Sequence, residues 1–257
     1  MMKPLQLALI QQEIIPNNPA QNLQTFADEI AKTTNADLIV LPEVFTTGFC
    51  ANARHYAEQV DGIAYQWMAE QAKKTGAVIT GSLVVKVGDT HFNRMVWMRP
   101  DGGYAEYDKR HLFRMAGEHE RYQQGDTRLL VELNGWRILP LVCYDLRFPV
   151  WSRNRNDYDL AIYVANWPSA RALHWNRLLQ ARAIENLSYV VGVNRVGMDE
   201  KHQHYAGDSA VYGPAGEVLV VSQEAGVLTA TADWEALQAY RERFPAYLDA
   251  DDFELNC

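Results

Sequence analysis

Three side chains that can take part in acyl transfer each follow an extended segment of this 257-residue sequence. Glu43 comes after the apolar run 38–41 and a proline, and Cys143 comes directly after the apolar run 138–142. Lys109 ends a third extended segment. A carboxylate, an ammonium and a thiol at strand ends could serve as general base, electrostatic stabiliser and nucleophile, which suffices for acyl transfer through a thioester.

Each of these residue types also has an ordinary structural interpretation. Free cysteine is among the most buried residue types, so Cys143 could be an inert core residue. Other chemical signatures are absent, because the sequence has no glycine-rich phosphate loop, Gly-x-Ser-x-Gly, Cys-x-x-Cys or His-Glu-x-x-His motif. His202 and His204, with Asp208 nearby, could be a metal pair, but without further ligands a solvated pair is favoured and no metal is expected.

The elements that must position these residues alternate between strand and helix patterns. Asn18 followed by Pro19 predicts the start of a helix, and Gly76 predicts the end of the next one. Short continuous apolar runs predict strands that are buried on both faces. Strands are predicted over residues 5–10, 38–41, 77–87, 138–142, 160–165 and 189–196. The later helices are predicted over residues 63–75, near 150–156, over 170–186 and from 234.

Turn signals add antiparallel strands to this pattern. Residues 101–103 and 134–135, rich in Asp, Asn and Gly, lie between extended segments and predict two hairpins. The segments 209–212, 218–221 and 227–232 predict a meander. Strands that alternate with helices and hairpins indicate a layered α/β fold with a mixed sheet, in which two sheets could pack face to face beneath outer helices.

The chain shows no linker composition and no internal repeat. We therefore expect one domain over residues 1–257. Its core is expected at about residues 5–232, and a C-terminal helix and tail at residues 233–257.

Composition argues against several classes of function. The 24 basic and 32 acidic residues leave a formal net charge of −8, so neither nucleic acid nor an anionic membrane is expected as a partner. No signal peptide or apolar run of about 18 residues is recognisable. The three cysteines, Cys50, Cys143 and Cys257, suggest neither a disulfide framework nor a zinc cluster. A soluble protein in the reducing cytoplasm is expected.

Three blocks of the sequence resemble, in order and spacing, the catalytic blocks of the nitrilase superfamily of carbon–nitrogen hydrolases. The blocks are Leu41-Pro42-Glu43, Tyr107-Asp108-Lys109-Arg110-His111-Leu112-Phe113 and Cys143-Tyr144-Asp145-Leu146-Arg147-Phe148-Pro149. The resemblance extends from Leu5 to about Ala232. It favours the interpretation of Cys143 as a nucleophile over that of an inert core residue.

The resemblance implies a four-layer αββα sandwich of two mixed sheets covered by helices. It also implies a cytoplasmic homodimer paired through helical faces, without a metal or organic cofactor. Glu118 matches the second active-site glutamate, with Glu120 as the alternative. The sequence is most similar to the omega-amidases, which hydrolyse the terminal amide of 2-oxoglutaramate or succinamate. In such an enzyme Glu43, Lys109 and Cys143 form the triad, and water hydrolyses the thioester on the cysteine.

A substrate of that kind carries a carboxylate at the end away from the amide, so the pocket needs a cation. Arg147 and Arg171 lie just beyond predicted strand ends and are the candidates, although either could brace a loop through ion pairs. The backbone N–H of Tyr144 is expected to join Lys109 in stabilising the oxyanion. Trp167 is either a wall of the pocket or an ordinary packing residue.

Three other functions compete with an omega-amidase. A cysteine protease would need a histidine beside the thiol, and nothing in the sequence around His111 or His174 supports that role. A non-catalytic binding module is the second alternative, although the intact Glu43, Lys109 and Cys143 argue against it. A nitrilase or an N-carbamoyl amide hydrolase would use the same three residues. The sequence separates these activities poorly, because loops rather than the motif shape the pocket.

Overall fold

The computed structural model describes residues 3–50 and 52–255. Strands β1 to β8 are Leu5–Gln11, Leu38–Val40, Glu58–Gln59, Val78–Val87, Thr90–Met98, Tyr104–Asp108, Val131–Leu133 and Trp136–Val142. Strands β9 to β15 are Leu160–Ala165, Tyr189–Asn194, Val196–Met198, His204–Ala206, Ser209–Tyr212, Val218–Ser222 and Gly226–Ala232. Helices α1 to α5 are Pro19–Ile30, Ile63–Thr75, Pro149–Ser152, Ala172–Asn186 and Trp234–Arg243. None of these helices is long and apolar enough to cross a bilayer.

The first two helices start and stop where local side-chain chemistry places their ends. The Asn18 side chain accepts a hydrogen bond from the backbone N–H of Gln21, and Pro19 occupies the first turn of α1. Helix α2 ends at Gly76, whose φ of +71° is the left-handed conformation that glycine adopts without a steric penalty. Both predicted ends are confirmed.

Two large mixed sheets form the middle of the molecule. The first has the order β15-β1-β2-β4-β5-β6, with β3 also beside β4, and β1, β2 and β4 run parallel. The second has the order β14-β13-β10-β9-β8-β7, and β8, β9 and β10 run parallel. Antiparallel pairs complete both sheets, including the two hairpins predicted from their turns, β5 with β6 and β7 with β8.

Packing of helices on the sheets gives the four layers. Phe26 of α1 and Met68 of α2 belong to a buried cluster with Ile39 and Ile79 of the first sheet. The largest cluster joins side chains of both sheets to α4, whose Trp175 and the neighbouring leucine at position 179 lie against β10. The expected αββα sandwich is therefore confirmed.

The predicted meander is wrong in its last strand. Strands β13 and β14 form a hairpin in the second sheet, but β15 joins the first sheet and pairs antiparallel with β1. All seven residues of β1 have a partner in β15, from Leu5 opposite Ala232 to Gln11 opposite Gly226. The edge of β1 that does not face β2 can therefore form hydrogen bonds with β15 along its whole length. A local turn pattern cannot reveal this pairing, because β1 is distant in sequence.

The predicted strand 189–196 is also interrupted. Strand β10 ends at Asn194, and Val196 begins β11, which forms a separate hairpin with β12. Arg195 lies between them, buried, and donates hydrogen bonds to the carbonyl oxygens of Val196 and Met198. This hairpin was not predicted from the sequence. Two helix predictions differ in length, because α3 spans only four residues and a 3₁₀ turn over residues 169–171 precedes α4.

Candidate active site

The ammonium of Lys109 lies between two buried carboxylates. Its Nζ is 2.9 Å from Oε1 of Glu43 and 2.9 Å from each carboxylate oxygen of Glu118. Burial alone would lower the pKa of Lys109, but the negative charges of Glu118 and Glu43 outweigh it and hold the pKa well above its usual value. Lys109 is therefore a fixed positive charge at neutral pH.

Asn93 in β5 joins the same two carboxylates and was missed by the sequence analysis. Its Nδ2 donates to Oε1 of Glu43 at 2.9 Å and to Oε1 of Glu118 at 3.3 Å. The backbone carbonyl oxygen of Asn93 also accepts the backbone N–H of Lys109. In the sequence, Asn93 is only a polar residue inside an extended segment. Its place in the site becomes evident once β5 pairs with β6 and brings it beside Lys109.

Asn166, directly after β9, fixes the glutamate from the second sheet. Its backbone N–H donates to Oε2 of Glu43 at 2.8 Å, and its Nδ2 donates to the backbone carbonyl of Glu43 at 2.6 Å. The carboxylate of Glu43 is thereby held by Lys109 and Asn93 on one oxygen and by Asn166 on the other. Like Cys143, Asn166 is the first polar residue after a buried strand, a signal that could have identified it.

The backbone is strained next to two of these side chains. Cys143 has a φ of +44° where β8 turns into the 3₁₀ segment 143–147, and Val44, which follows Glu43, has a φ of +40°. A left-handed conformation is unfavourable for residues other than glycine, and especially for a β-branched one. Such strain persists only where the surrounding structure imposes it, and it is concentrated at functional sites.

The thiol of Cys143 lies in the electrostatic field of Glu43, Lys109 and Glu118. Burial, followed by the negative charge of Glu43, raises the pKa of the thiol well above its usual value, while the positive charge of Lys109 opposes the shift. The carboxylate of Glu43 is thus close enough to the thiol to contribute to this shift. The thiol is therefore protonated at neutral pH, and Glu43 is placed to accept its proton when it reacts.

Asp145, two residues beyond Cys143, ties the cysteine turn to the segment that carries Lys109. Its buried carboxylate accepts hydrogen bonds from the hydroxyl of Tyr107, from the backbone and Nδ1 of His111, and from the backbone N–H of Val142. The ring of His111 stacks on that of the phenylalanine at position 148, with centroids 3.9 Å apart. Sequence alone did not single out Asp145.

A cavity of about 100 Å³ opens beside these side chains, and Glu43, Lys109 and Cys143 line it. The substrate-binding candidates line it as well: Tyr144, Arg147, Trp167 and Arg171. Among the described residues, no group of three or more metal-ligating side chains is present.

The structure distinguishes between several of the candidates. Glu118 is completely buried against Lys109, whereas Glu120 is exposed. The guanidinium of Arg147 lies 5.0 Å from the ring centroid of Trp167. The guanidinium of Arg171 lies 5.4 Å from the ring centroid of Phe113. Within the described chain neither arginine forms an ion pair, so bracing of loops through ion pairs is not observed.

The two histidines considered for a protease do not line the cavity. Nδ1 of His111 faces Asp145, and Nδ1 of His174 lies 2.8 Å from Nη2 of Arg147. The charged groups that shift the pKa of Cys143 are Glu43 and Lys109, with a smaller effect of the second glutamate. The arrangement can transfer a proton from a thiol to a carboxylate beside a fixed cation.

An αββα sandwich with a buried Glu–Lys–Cys arrangement beside a small cavity defines a class of cysteine-dependent hydrolase. The chain belongs to the carbon–nitrogen hydrolase family, whose profile matches residues 6–242.

It is 49% identical to omega-amidase YafV of Escherichia coli strain K12 over 256 residues, which cover 99% of this chain and all of the relative. It is 33% identical to 2-oxoglutaramate amidase of Bacillus subtilis over 250 residues, covering 95% of this chain and 96% of the relative. Among solved structures, XC1258 from Xanthomonas campestris, a CN-hydrolase superfamily protein with an arsenic adduct in its active site, superposes with a TM-score of 0.98. That structure is 47% identical, with 99% of this chain and 100% of that chain covered.

Proposed function

We propose that this protein is an omega-amidase that hydrolyses the terminal amide of 2-oxoglutaramate, succinamate or a similar monoamide to the acid and ammonia. The observation that carries the proposal is the charge around the cavity. Five cationic side chains but only two acidic ones line it, in a chain whose formal net charge is −8. A cationic cleft concentrates anionic substrates. The similarity to omega-amidase and 2-oxoglutaramate amidase along nearly the whole chain supports the same substrate class.

The first half of the reaction forms a thioester. Glu43 accepts the thiol proton of Cys143 as the sulfur attacks the amide carbonyl, whose π electrons move to the oxygen. Lys109 and the backbone N–H of Tyr144 stabilise this oxyanion, since fixed donors aimed at developing charge can each contribute about 3 kcal/mol. When the oxyanion collapses, the C–N bond breaks and Glu43 returns the proton to the leaving ammonia.

The second half hydrolyses the thioester. Glu43 accepts a proton from water as the water oxygen attacks the acyl carbon, and the C–S bond then breaks. The sulfur of Cys143 recovers the proton from Glu43, so the enzyme returns to its starting state. Glu118 holds Lys109 in place throughout, because both of its oxygens lie 2.9 Å from the ammonium.

Ammonia release over a panel of compounds tests the proposed substrate class. The panel contains 2-oxoglutaramate, succinamate, glutamine, simple nitriles and N-carbamoyl amino acids. We expect the two acidic monoamides to give the highest kcat/KM. Activity confined to nitriles or carbamoyl compounds would assign the protein to one of the related hydrolase activities, and tight binding without ammonia release would indicate a non-catalytic binding module.

Substitutions test the assigned roles. Cys143→Ala should abolish turnover while the circular dichroism spectrum is retained. Glu118→Gln should lower kcat by about a hundredfold, the effect typical of disturbing one stabilising group at the oxyanion site. Glu120→Gln is the matched control, because that nearby side chain is exposed and should leave kcat unchanged. Equal effects of the two glutamate substitutions would contradict the role of Glu118.

We also propose that the protein is a cytoplasmic homodimer paired through helical faces. Exposed apolar side chains on α4 and α3 support this pairing: Leu173, Ile184 and Val150 are 66%, 49% and 53% exposed. Apolar patches of this kind often mark protein interfaces. Light scattering at micromolar concentration tests the proposal, and a monomer would contradict it.

A further inference from the structure

We propose that Lys201, in the β11–β12 hairpin, is a second cationic contact for the substrate carboxylate and acts together with Arg171. This inference rests on the proposed omega-amidase function. Lys201 lies outside the three sequence blocks that carry the family resemblance.

The hairpin forms one side of the cavity. Four residues of this segment line the cavity: Asp199, Lys201, Gln203 and Tyr205. A hydrogen bond of 2.7 Å between Ser169 Oγ and Nδ1 of the histidine at position 204 joins β12 to the 3₁₀ turn 169–171. That turn ends at Arg171, so the hairpin and the arginine belong to one continuous part of the cavity wall.

Internal contacts fix the tip of the hairpin. Oδ1 of Asp199 accepts the backbone N–H groups of Lys201 and Gln203, and its Oδ2 accepts the hydroxyl of Tyr205. The guanidinium of Arg195 lies 4.7 Å from the ring centroid of Tyr205. The flexible side chain of Lys201 is therefore attached to a backbone that is held in place beside the cavity.

Three of the five cations that line the cavity are already engaged. Lys109 is bound between two carboxylates. Arg121 donates to three backbone carbonyl oxygens, those of residues 50, 116 and 117, and therefore braces the loops around it. Arg147 shares a hydrogen bond with His174.

The other two cations, Arg171 and Lys201, are the ones left for a ligand. In the described chain neither side chain makes a hydrogen bond or an ion pair, and Arg171 only stacks on the ring of Phe113. The two acidic residues next to Lys201 in the hairpin already accept hydrogen bonds within the protein. Both oxygens of Asp199 accept hydrogen bonds within the hairpin, and Glu200, which does not line the cavity, accepts one from the amide nitrogen of Asn17.

Two free cations at the rim also select against a positive group near the substrate carboxylate. A 2-oxo acid or an unsubstituted acid presents only a negative charge there. Glutamine presents an α-ammonium beside its carboxylate, and the like charges of Lys201 and Arg171 oppose it. The charge of Lys201 therefore contributes both to binding of acidic monoamides and to rejection of amino acid amides.

The test compares Lys201→Gln and Lys201→Glu with the wild-type enzyme on succinamate, glutamine and butyramide, a neutral amide of the same length as succinamate. Lys201→Gln should raise KM for succinamate about fivefold, the upper range for an exposed ion pair, with kcat unchanged. Its kcat/KM for butyramide should not change. Lys201→Glu should raise KM for succinamate further and increase the ratio of glutamine to succinamate turnover.

Lys73→Gln and Lys73→Glu are the matched controls, because Lys73 is an exposed lysine in α2 that does not line the cavity. They should leave every parameter unchanged. An unaltered KM for succinamate in both Lys201 variants, or an equal loss on succinamate and butyramide, would overturn the inference. A wild-type enzyme that releases no ammonia from acidic monoamides would instead refute the proposed function, so the two failures are distinguishable.

Discussion

Substitution of Asp145 by asparagine tests how the two sheets assemble the site. One oxygen of Asp145 accepts the backbone N–H of His111 at 2.9 Å and its Nδ1 at 2.8 Å, and the other accepts the hydroxyl of Tyr107 at 2.8 Å and the N–H of Val142 at 3.0 Å. Asparagine keeps only one acceptor oxygen. In either orientation its NH₂ group therefore faces a backbone N–H, of His111 or of Val142, that loses its partner.

The expected cost follows from these contacts. A buried donor without a partner costs about 1–3 kcal/mol, and a hydrogen bond to a charged group contributes about 1.5–3 kcal/mol. Loss of one or two such bonds should lower the free energy of unfolding by about 2–4 kcal/mol. Each kcal/mol corresponds to about 2–4 °C in Tm for a chain of this size. Since Asp145 connects the turn of Cys143 to the segment of Lys109, a small displacement should also lower kcat, by about a hundredfold.

Urea unfolding and ammonia release measure the two effects on the same preparation. Asp89→Asn is the matched control, because Asp89 is exposed in the turn between β4 and β5 and should change neither quantity. An Asp145→Asn enzyme with wild-type stability and wild-type kcat would refute the reasoning. Lower stability with an unchanged kcat would show that Asp145 stabilises the fold without positioning the reacting groups.

Three further predictions concern the same site. Gly125→Ala should lower both the free energy of unfolding and kcat, because a Cβ there would collide with the backbone carbonyl of Asp108, directly before Lys109. Urea unfolding and ammonia release measure the two effects, and unchanged values would contradict the close packing. Asn93→Leu should lower kcat by at least tenfold, since it removes the donor shared by the two carboxylates, and a wild-type kcat would show that this donor is dispensable. Thiolate absorbance, taken as the difference between the wild type and Cys143→Ala, should appear only well above pH 9, because burial favours the neutral thiol. The stability that the neutral thiol contributes is present below pH 9 and is lost as pH rises towards the raised pKa. A thiolate signal at neutral pH would contradict the third prediction.

Much of the local structure is set by short stretches of sequence. The start of α1 at Asn18 and Pro19 and the end of α2 at Gly76 depend on residues within one helical turn, so they could be read directly. Strands buried on both faces appear as continuous apolar runs for the same reason. The order and spacing of the blocks around Glu43, Lys109 and Cys143 also lie in the sequence, and they were sufficient to indicate the family.

Tertiary structure decided which strand ends meet and what surrounds them. Whether β15 continues a meander or closes the edge of β1 depends on a ladder between residues more than 200 positions apart, such as Leu5 and Ala232. The roles of Asn93 and Asp145 depend in the same way on contacts between segments distant in sequence.

The sequence by itself thus determined the helix ends and the buried strands and supplied the candidates for the reacting groups, because each of these signals lies in neighbouring residues. The folded chain decided which cations remain free for a ligand. Arg147 and Arg171 look alike in sequence, yet of these two only Arg171 lacks a hydrogen-bond partner for its side chain among the described residues. Lys201 lines the cavity because its hairpin packs on the turn 169–171, which is distant in sequence. Charge at a site depends on how charges pair in space, and that pairing is a property of the tertiary structure.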